Sequence, residues 1–266
     1  MIEWRVVDDY NALSREAAGL LVGRIESHPA SVLLLPTGTT PEGMYQEIVA
    51  RCGTQYRCFR DVATFNLDEY VGVPADHPGS YATYMRTRLF SQVDLDPANA
   101  HVPDGNALAI RTSRPDVDFS TALTLECARY ESMIRAAGGI DLTFLGLGRN
   151  GHIGFNEPGS PFDSRTRVVE LHLSTREANA PFFPSGIVPD RAITVGIGTI
   201  LESRSIVLLA SGASKADAIA RLASAPPSPD FPASALLGHL NVLAIVDRAA
   251  FAKVDASAER RSASRA

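Results

Sequence analysis

The chain is 266 residues long, 45% hydrophobic and 21% charged, with a formal net charge of −5. That length supports a sizeable core and reads as one α/β domain over 1–255, and the interspersed charges exclude a basic footprint for nucleic acid, so an anionic ligand has to be held by local groups. Three cysteines without CxxC spacing argue against a disulfide framework or structural zinc. No apolar run approaches the roughly 20 residues that span a bilayer, and Met1-Ile2-Glu3-Trp4-Arg5 is no basic-then-apolar leader, so a cytoplasmic location is expected.

An amphipathic helix is predicted over 11–27, then a strand over 31–35 running into Pro36-Thr37-Gly38-Thr39-Thr40-Pro41-Glu42-Gly43-Met44. Pro41 suits the first position of a helix over 41–51, with Thr40 as its cap. A helix N-terminus preceded by hydroxyls and a glycine suits phosphate, though the Gly-Lys-Ser/Thr ending of a Walker A loop is missing and a plain strand-to-helix turn reads equally well. A strand over 62–66 leads into Asp68 and Glu69, adjacent acids expected to point into a crevice at a strand's carboxyl end. There a carboxylate shielded from water can be tuned for proton transfer, whereas an isolated Asp-Glu is more simply a surface pair or cap.

Further along, a loop over 71–79, a helix over 80–90, a loop over 104–119 and a helix over 121–137 precede the most informative stretch. A strand over 140–146 feeds Gly146-Leu147-Gly148-Arg149-Asn150-Gly151-His152-Ile153-Gly154-Phe155-Asn156-Glu157-Pro158. Gly146, Gly148 and Gly151 have dinucleotide-binding spacing, with Glu170 near the place of a ribose-binding acid. That fingerprint needs a helix to start within it, and His152, Gly154, Asn156 and Pro158 read instead as a loop. A turn there lets Glu157 hold one nitrogen of His152 while the other faces a substrate. Strands are predicted over 167–173, 205–210 and 242–246, with Lys215 at the start of a helix over 214–223 and a loop over 225–231. Several strands are nearly continuous in apolar residues, so the fold class is α/β, a doubly wound, mostly parallel sheet with helices on both faces. Residues 256–266 are small, polar and charged and are expected to be a frayed tail.

Together the blocks LPTGTTPEGMY, TFNLDEYVG with HPGSYATYM, GRNGHIGFNEPGSPFDSRTR, AITVGIGTILES and ASGASKADAI resemble the glucosamine-6-phosphate deaminase family from about the first strand to Asp247. The resemblance implies a modified doubly wound α/β fold and conversion of glucosamine 6-phosphate and water to fructose 6-phosphate and ammonia, without organic cofactor or catalytic metal. It implies that His152, oriented by Glu157, opens the pyranose ring and that Asp68 moves a proton from C2 to C1. Thr37, Gly38, Thr39 and Thr40 with Lys215 would hold the phosphate, and Glu69 is either a further site residue or structural.

The chain also departs from the family. Asn150 stands where some members carry an acid, and is expected to orient the imidazole by hydrogen bonding alone. Pro181 stands where an arginine commonly contacts phosphate, and Arg176, one turn away, is its candidate substitute. Arg167 matches one residue of the basic pair used by allosteric members, but Val169 stands where the second would be and Pro161 replaces a serine, so allosteric activation is not expected. A small-molecule amino-sugar phosphate is the expected partner, with oligomerisation left open. The alternatives are a galactosamine 6-phosphate enzyme, a 6-phosphogluconolactonase, or a sugar-phosphate sensor. The sensor would need a DNA-binding module, and no helix-turn-helix is expected before residue 31.

Overall fold

The computed structural model describes residues 2–53 and 58–254, so the predicted tail lies outside the described residues. The chain runs β1 (Glu3–Val7), α1 (Tyr10–Ser27), β2 (Val32–Leu35), α2 (Glu42–Cys52), β3 (Ala63–Asn66), β4 (Asp68–Tyr70), α3 (Tyr81–Arg88), β5 (Ala100–His101), α4 (Leu108–Ser113) and α5 (Phe119–Ala136). It continues through β6 (Leu142–Gly146), β7 (Arg167–Glu170), α6 (Leu173–Asn179), β8 (Arg191–Thr194), α7 (Ile197–Leu201), β9 (Ser205–Ala210), α8 (Ala216–Ser224), β10 (Val242–Asp247) and α9 (Arg248–Phe251).

Seven strands form one parallel sheet in the order β1-β10-β9-β6-β2-β3-β5. Strand β2 is fully buried, and its alternation feeds two cores. Leu33 and Leu35 pack with α1 and α2 through Leu13, Leu21, Met44 and Ile48. Val32 and Leu34 pack on the opposite face with Tyr130 and Ile134 of α5 and Ile219 and Leu222 of α8. Helices on both faces explain why these strands read as unbroken apolar runs.

The second sheet differs from the expectation. The strand predicted over 167–173 shortens to β7 and leaves the main sheet, pairing antiparallel with β8, which pairs in turn with β4 in the order β4-β8-β7. Its residues are only half-buried or exposed, so it lacks the two-sided burial of a central strand. Helix α4 occupies part of the predicted 104–119 loop. The thiols are free, Cys52 and Cys127 buried and Cys58 partly so.

The sheet order reverses between β2 and β6: the chain moves outward through β3 and β5, returns to β6 beside β2, and continues through β9 to β10. Loops leaving the carboxyl ends of strands on either side of such a reversal diverge and leave a crevice, where α/β sheets place their ligands.

Candidate active site

That crevice is a cleft of about 770 Å³ lined by 36–41 after β2, Leu67 and Asp68 after β3, 146–150 with His152 after β6, and Ser211, Ser214 and Lys215 after β9. One side is closed by Ser174, Thr175, Ala178 and Asn179 of α6 and by Phe182. The structure therefore brings Thr37, Gly38, Thr39, Thr40, Asp68, Asn150, His152 and Lys215 to one space.

Asp68 and Glu69 diverge because successive residues of β4 point to opposite faces. Asp68 lines the cleft while remaining buried, and among the described residues no hydrogen bond reaches its carboxyl group. Burial, followed by the charge of Glu69, pushes its pKa up to about 8. Glu69 turns away and accepts from the backbone N–H groups of Tyr70, Tyr81 and Ala82 at 2.8, 3.0 and 2.9 Å. Burial raises it to about 7 against the pull of those donors. The expectation that both acids face the crevice is thus corrected: Glu69 binds the start of α3.

The loop after β6 stays irregular through residue 166, so no helix begins within the Gly146, Gly148, Gly151 spacing. Gly148 lets the His152 ring fold back over it, since a Cβ there would lie 2.5 Å from ring atoms. His152 Nδ1 lies 3.5 Å from Glu157 Oε2, an ion-pair distance without hydrogen-bond geometry. Glu157 is fixed by two donors, the Thr175 hydroxyl at 2.5 Å and the Asn150 amide at 2.6 Å. Burial raises the Glu157 carboxyl, but the His152 ring, Thr175 and Asn150 outweigh it and bring its pKa to about 2. Asn150 was expected to orient the imidazole. Instead its amide reaches Glu157, and its carbonyl accepts from the His152 backbone N–H at 3.2 Å, because the tight turn carries the side chain to the carboxylate rather than to the ring.

Lys215 Nζ donates to the Leu147 carbonyl at 2.7 Å, tying the β9 turn to the β6 loop. Burial, then the nearby Arg149 charge, lowers its pKa. Pro41 takes helical angles, φ −79° and ψ −4°, but no side chain caps α2, so Thr40 is not the expected cap. Pro181 sits in a short 3-10 turn, and Arg176 is absent from the cleft lining, which α6 contributes through Ser174, Thr175, Ala178 and Asn179. The sequence did not point to Thr175, which reaches Glu157 from a separate helix, nor to Arg149, an exposed cation on the cleft wall. Among the described residues no cluster of three or more His, Cys, Asp or Glu could hold a metal ion.

The family of glucosamine-6-phosphate isomerases and 6-phosphogluconolactonases matches residues 8–244. The chain belongs to that family. A glucosamine-6-phosphate deaminase from Rhodopirellula baltica is 48% identical over 96% of this chain and 97% of its own length. Glucosamine-6-phosphate deaminase 1 of Bacillus subtilis is 46% identical, covering 91% and 95%. Among solved structures, a monomeric glucosamine-6-phosphate deaminase superposes with a TM-score of 0.86 at 44% identity, covering 95% of this chain and all of that one. The 6-phosphogluconolactonase from Trypanosoma brucei shares the fold, with a TM-score of 0.74 at 19% identity and coverage of 96% and 99%. Within the family fold, no helix among the described residues is long and apolar enough to cross a membrane.

Proposed function

We propose that this protein is a glucosamine-6-phosphate deaminase, converting glucosamine 6-phosphate and water to fructose 6-phosphate and ammonia. The observation that carries the reading is that two titratable side chains from different elements line one cleft: buried Asp68 on β4, and His152 on the β6 loop with Glu157 at ion-pair distance from its ring. The reaction needs such a division, because one group must act on the ring oxygen and another on carbon.

His152 transfers the proton that opens the pyranose ring, with ionised Glu157 stabilising the imidazolium form. Asp68 then takes the C2 proton of the open-chain aldehyde and returns a proton at C1, while the C2 ammonium group gives up one proton and O1 gains one, so that the aldehyde becomes the C1 alcohol. The resulting C2 imine adds water and expels ammonia, leaving the ketone of fructose 6-phosphate. Loop 36–40 and Lys215 hold the phosphate away from C2, so its binding energy positions the reacting carbons.

Arg149 supplies the cation that Pro181 lacks. It is exposed, lines the cleft and lies close enough to Lys215 for its charge to be felt there. An Arg149→Met variant is expected to raise KM for glucosamine 6-phosphate roughly three- to tenfold with kcat retained, a discounted share of the about 1.5–3 kcal/mol of a bond to a charged group. If an Arg176→Met variant shows that split and Arg149→Met does not, Arg176 holds the role.

The function itself is tested by release of ammonia and fructose 6-phosphate from glucosamine 6-phosphate without added cofactor, beside galactosamine 6-phosphate and 6-phosphogluconolactone. Stoichiometric release from the first is expected. Turnover of only one of the other two would reassign the substrate, and silence on all three would favour a sensor.

A further inference from the structure

The loop 36–41 is held by three phenols. Tyr45, fully buried on α2, donates to the Pro36 carbonyl at 2.5 Å. Tyr84 of α3 donates to the Gly38 carbonyl at 2.7 Å, and Tyr10, the first residue of α1, donates to the Thr39 carbonyl at 2.9 Å. Tyr10 also accepts from the Gly43 N–H at 2.8 Å, joining the loop to the first turn of α2. A Cβ at Gly43 would lie 2.3 Å from Ser14 Oγ and 3.0 Å from the Tyr10 hydroxyl, so glycine is what lets α1 approach this closely. The Tyr45 and Tyr84 rings pack edge to face, with centroids 6.3 Å apart. None of the three phenols lines the main cleft, whereas every residue from Pro36 to Pro41 does.

In a trans peptide the carbonyl of one residue and the N–H of the next point in opposite directions. Turning the Pro36, Gly38 and Thr39 carbonyls toward tyrosines outside the cleft lining therefore turns the N–H groups of Thr37, Thr39 and Thr40 the other way. Among the described residues none of those three N–H groups has a protein acceptor. Successive free N–H groups on one side of a loop form a concavity suited to an anion.

We propose that Tyr10, Tyr45 and Tyr84 are a positioning clamp that presets the N–H groups of loop 36–40 to receive the substrate phosphate, a role that rests on reading this loop as the phosphate site. The phenols touch no substrate. They hold the donors in the bound arrangement beforehand, so that binding does not have to order the loop. Burial raises the pKa of Tyr45 and of Tyr84 above the ordinary tyrosine range, so both remain protonated donors wherever the enzyme works.

The test uses Tyr84→Phe, Tyr10→Phe and the double variant, which keep the rings and remove only the hydroxyls, with Lys215→Met measured alongside. For each, kcat and KM for glucosamine 6-phosphate, the inhibition constant of inorganic phosphate, and Tm are determined. Each single Phe variant is expected to raise KM and the phosphate constant together, roughly three- to tenfold, with kcat within about twofold, as one lost neutral hydrogen bond implies. Unchanged constants in both Phe variants, with Lys215→Met weakening phosphate, would overturn the clamp and leave the phosphate site standing. A fall in kcat and Tm with no change in the phosphate constant would also overturn it, because the phenols would then be structural only. If Lys215→Met and the Phe variants alike leave phosphate inhibition unchanged, the phosphate reading fails and the clamp with it.

Discussion

Asp68→Asn is expected to lower kcat by about 10²- to 10⁴-fold, the usual contribution of a positioned general base, while the inhibition constant of inorganic phosphate stays within about twofold. The substitution keeps the shape of a side chain that reaches the cleft from β4 and removes only its ability to take a proton. Loss of solvent-hydrogen exchange at C2, measured by NMR in deuterated buffer, separates this from a binding defect. Full exchange in the variant would assign the base elsewhere. The pH dependence has a definite sign. With its pKa near 8, Asp68 is mostly protonated in the free protein at pH 7, so kcat/KM of the wild type should rise with pH through about 8. The substrate phosphate titrates near pH 6 and gives a separate, more acidic limb. Inorganic phosphate binding should show no limb at 8.

The same burial has a consequence for stability. The folded-state pKa of Asp68 lies above its ordinary value of 3.8, so its contribution to stability is intact below about pH 4 and is lost as pH rises to about 8. The loss reaches about 1.4 kcal/mol per pH unit at most. Asp68→Asn should therefore raise Tm relative to wild type at pH 8 and leave it nearly equal at pH 4, making the proposed catalytic position one where function is held at the expense of stability. Thermal unfolding at the two pH values reads this directly, and equal Tm differences at both would contradict the buried, proton-bearing carboxyl.

How far such a site is legible in a sequence depends on which residues the chemistry joins. Strands β2, β6 and β9 were readable because two-sided burial writes them as apolar runs, and the loops after β2, β6 and β9 carry compact motifs at their carboxyl ends. Strand β1 was missed because it is an edge strand with an exposed, charged pattern. Strands β4 and β5 have three and two residues, too few for a period to show. The departure of β7 to the second sheet was illegible for another reason: local pattern gives a strand's burial, not its partner. Thr175, Tyr10 and Tyr84 escaped because each acts through one hydroxyl on a chain segment distant in sequence, Tyr84 reaching back 46 residues to Gly38, and Tyr45 escaped because a tyrosine buried on a helix reads as core. Nothing in the neighbourhood of a lone tyrosine announces such a bond.

His152→Gln is expected to slow turnover by about 10²-fold or more, through ring opening rather than through C2 chemistry. The imidazole sits within ion-pair distance of a carboxylate whose pKa, near 2, keeps it charged throughout the working range. An imidazolium formed as the ring proton moves is stabilised by that fixed negative charge, and Gln offers neither the proton nor the charge. Because Asp68 is untouched, substrate that opens spontaneously should still be processed, so at high enzyme concentration the variant's rate should level off at the uncatalysed rate of ring opening. Failure to level off, with the rate rising in proportion to enzyme, would place the slow step after opening and remove His152 from that role. Glu157→Gln supplies the complementary measurement: it leaves the imidazole in place, removes the charge, and weakens the hold that Thr175 and Asn150 give the carboxylate. It should lower kcat by about 10- to 100-fold, the usual cost of losing an orienting partner, and still level off at high enzyme if the two residues work as one acid-base unit.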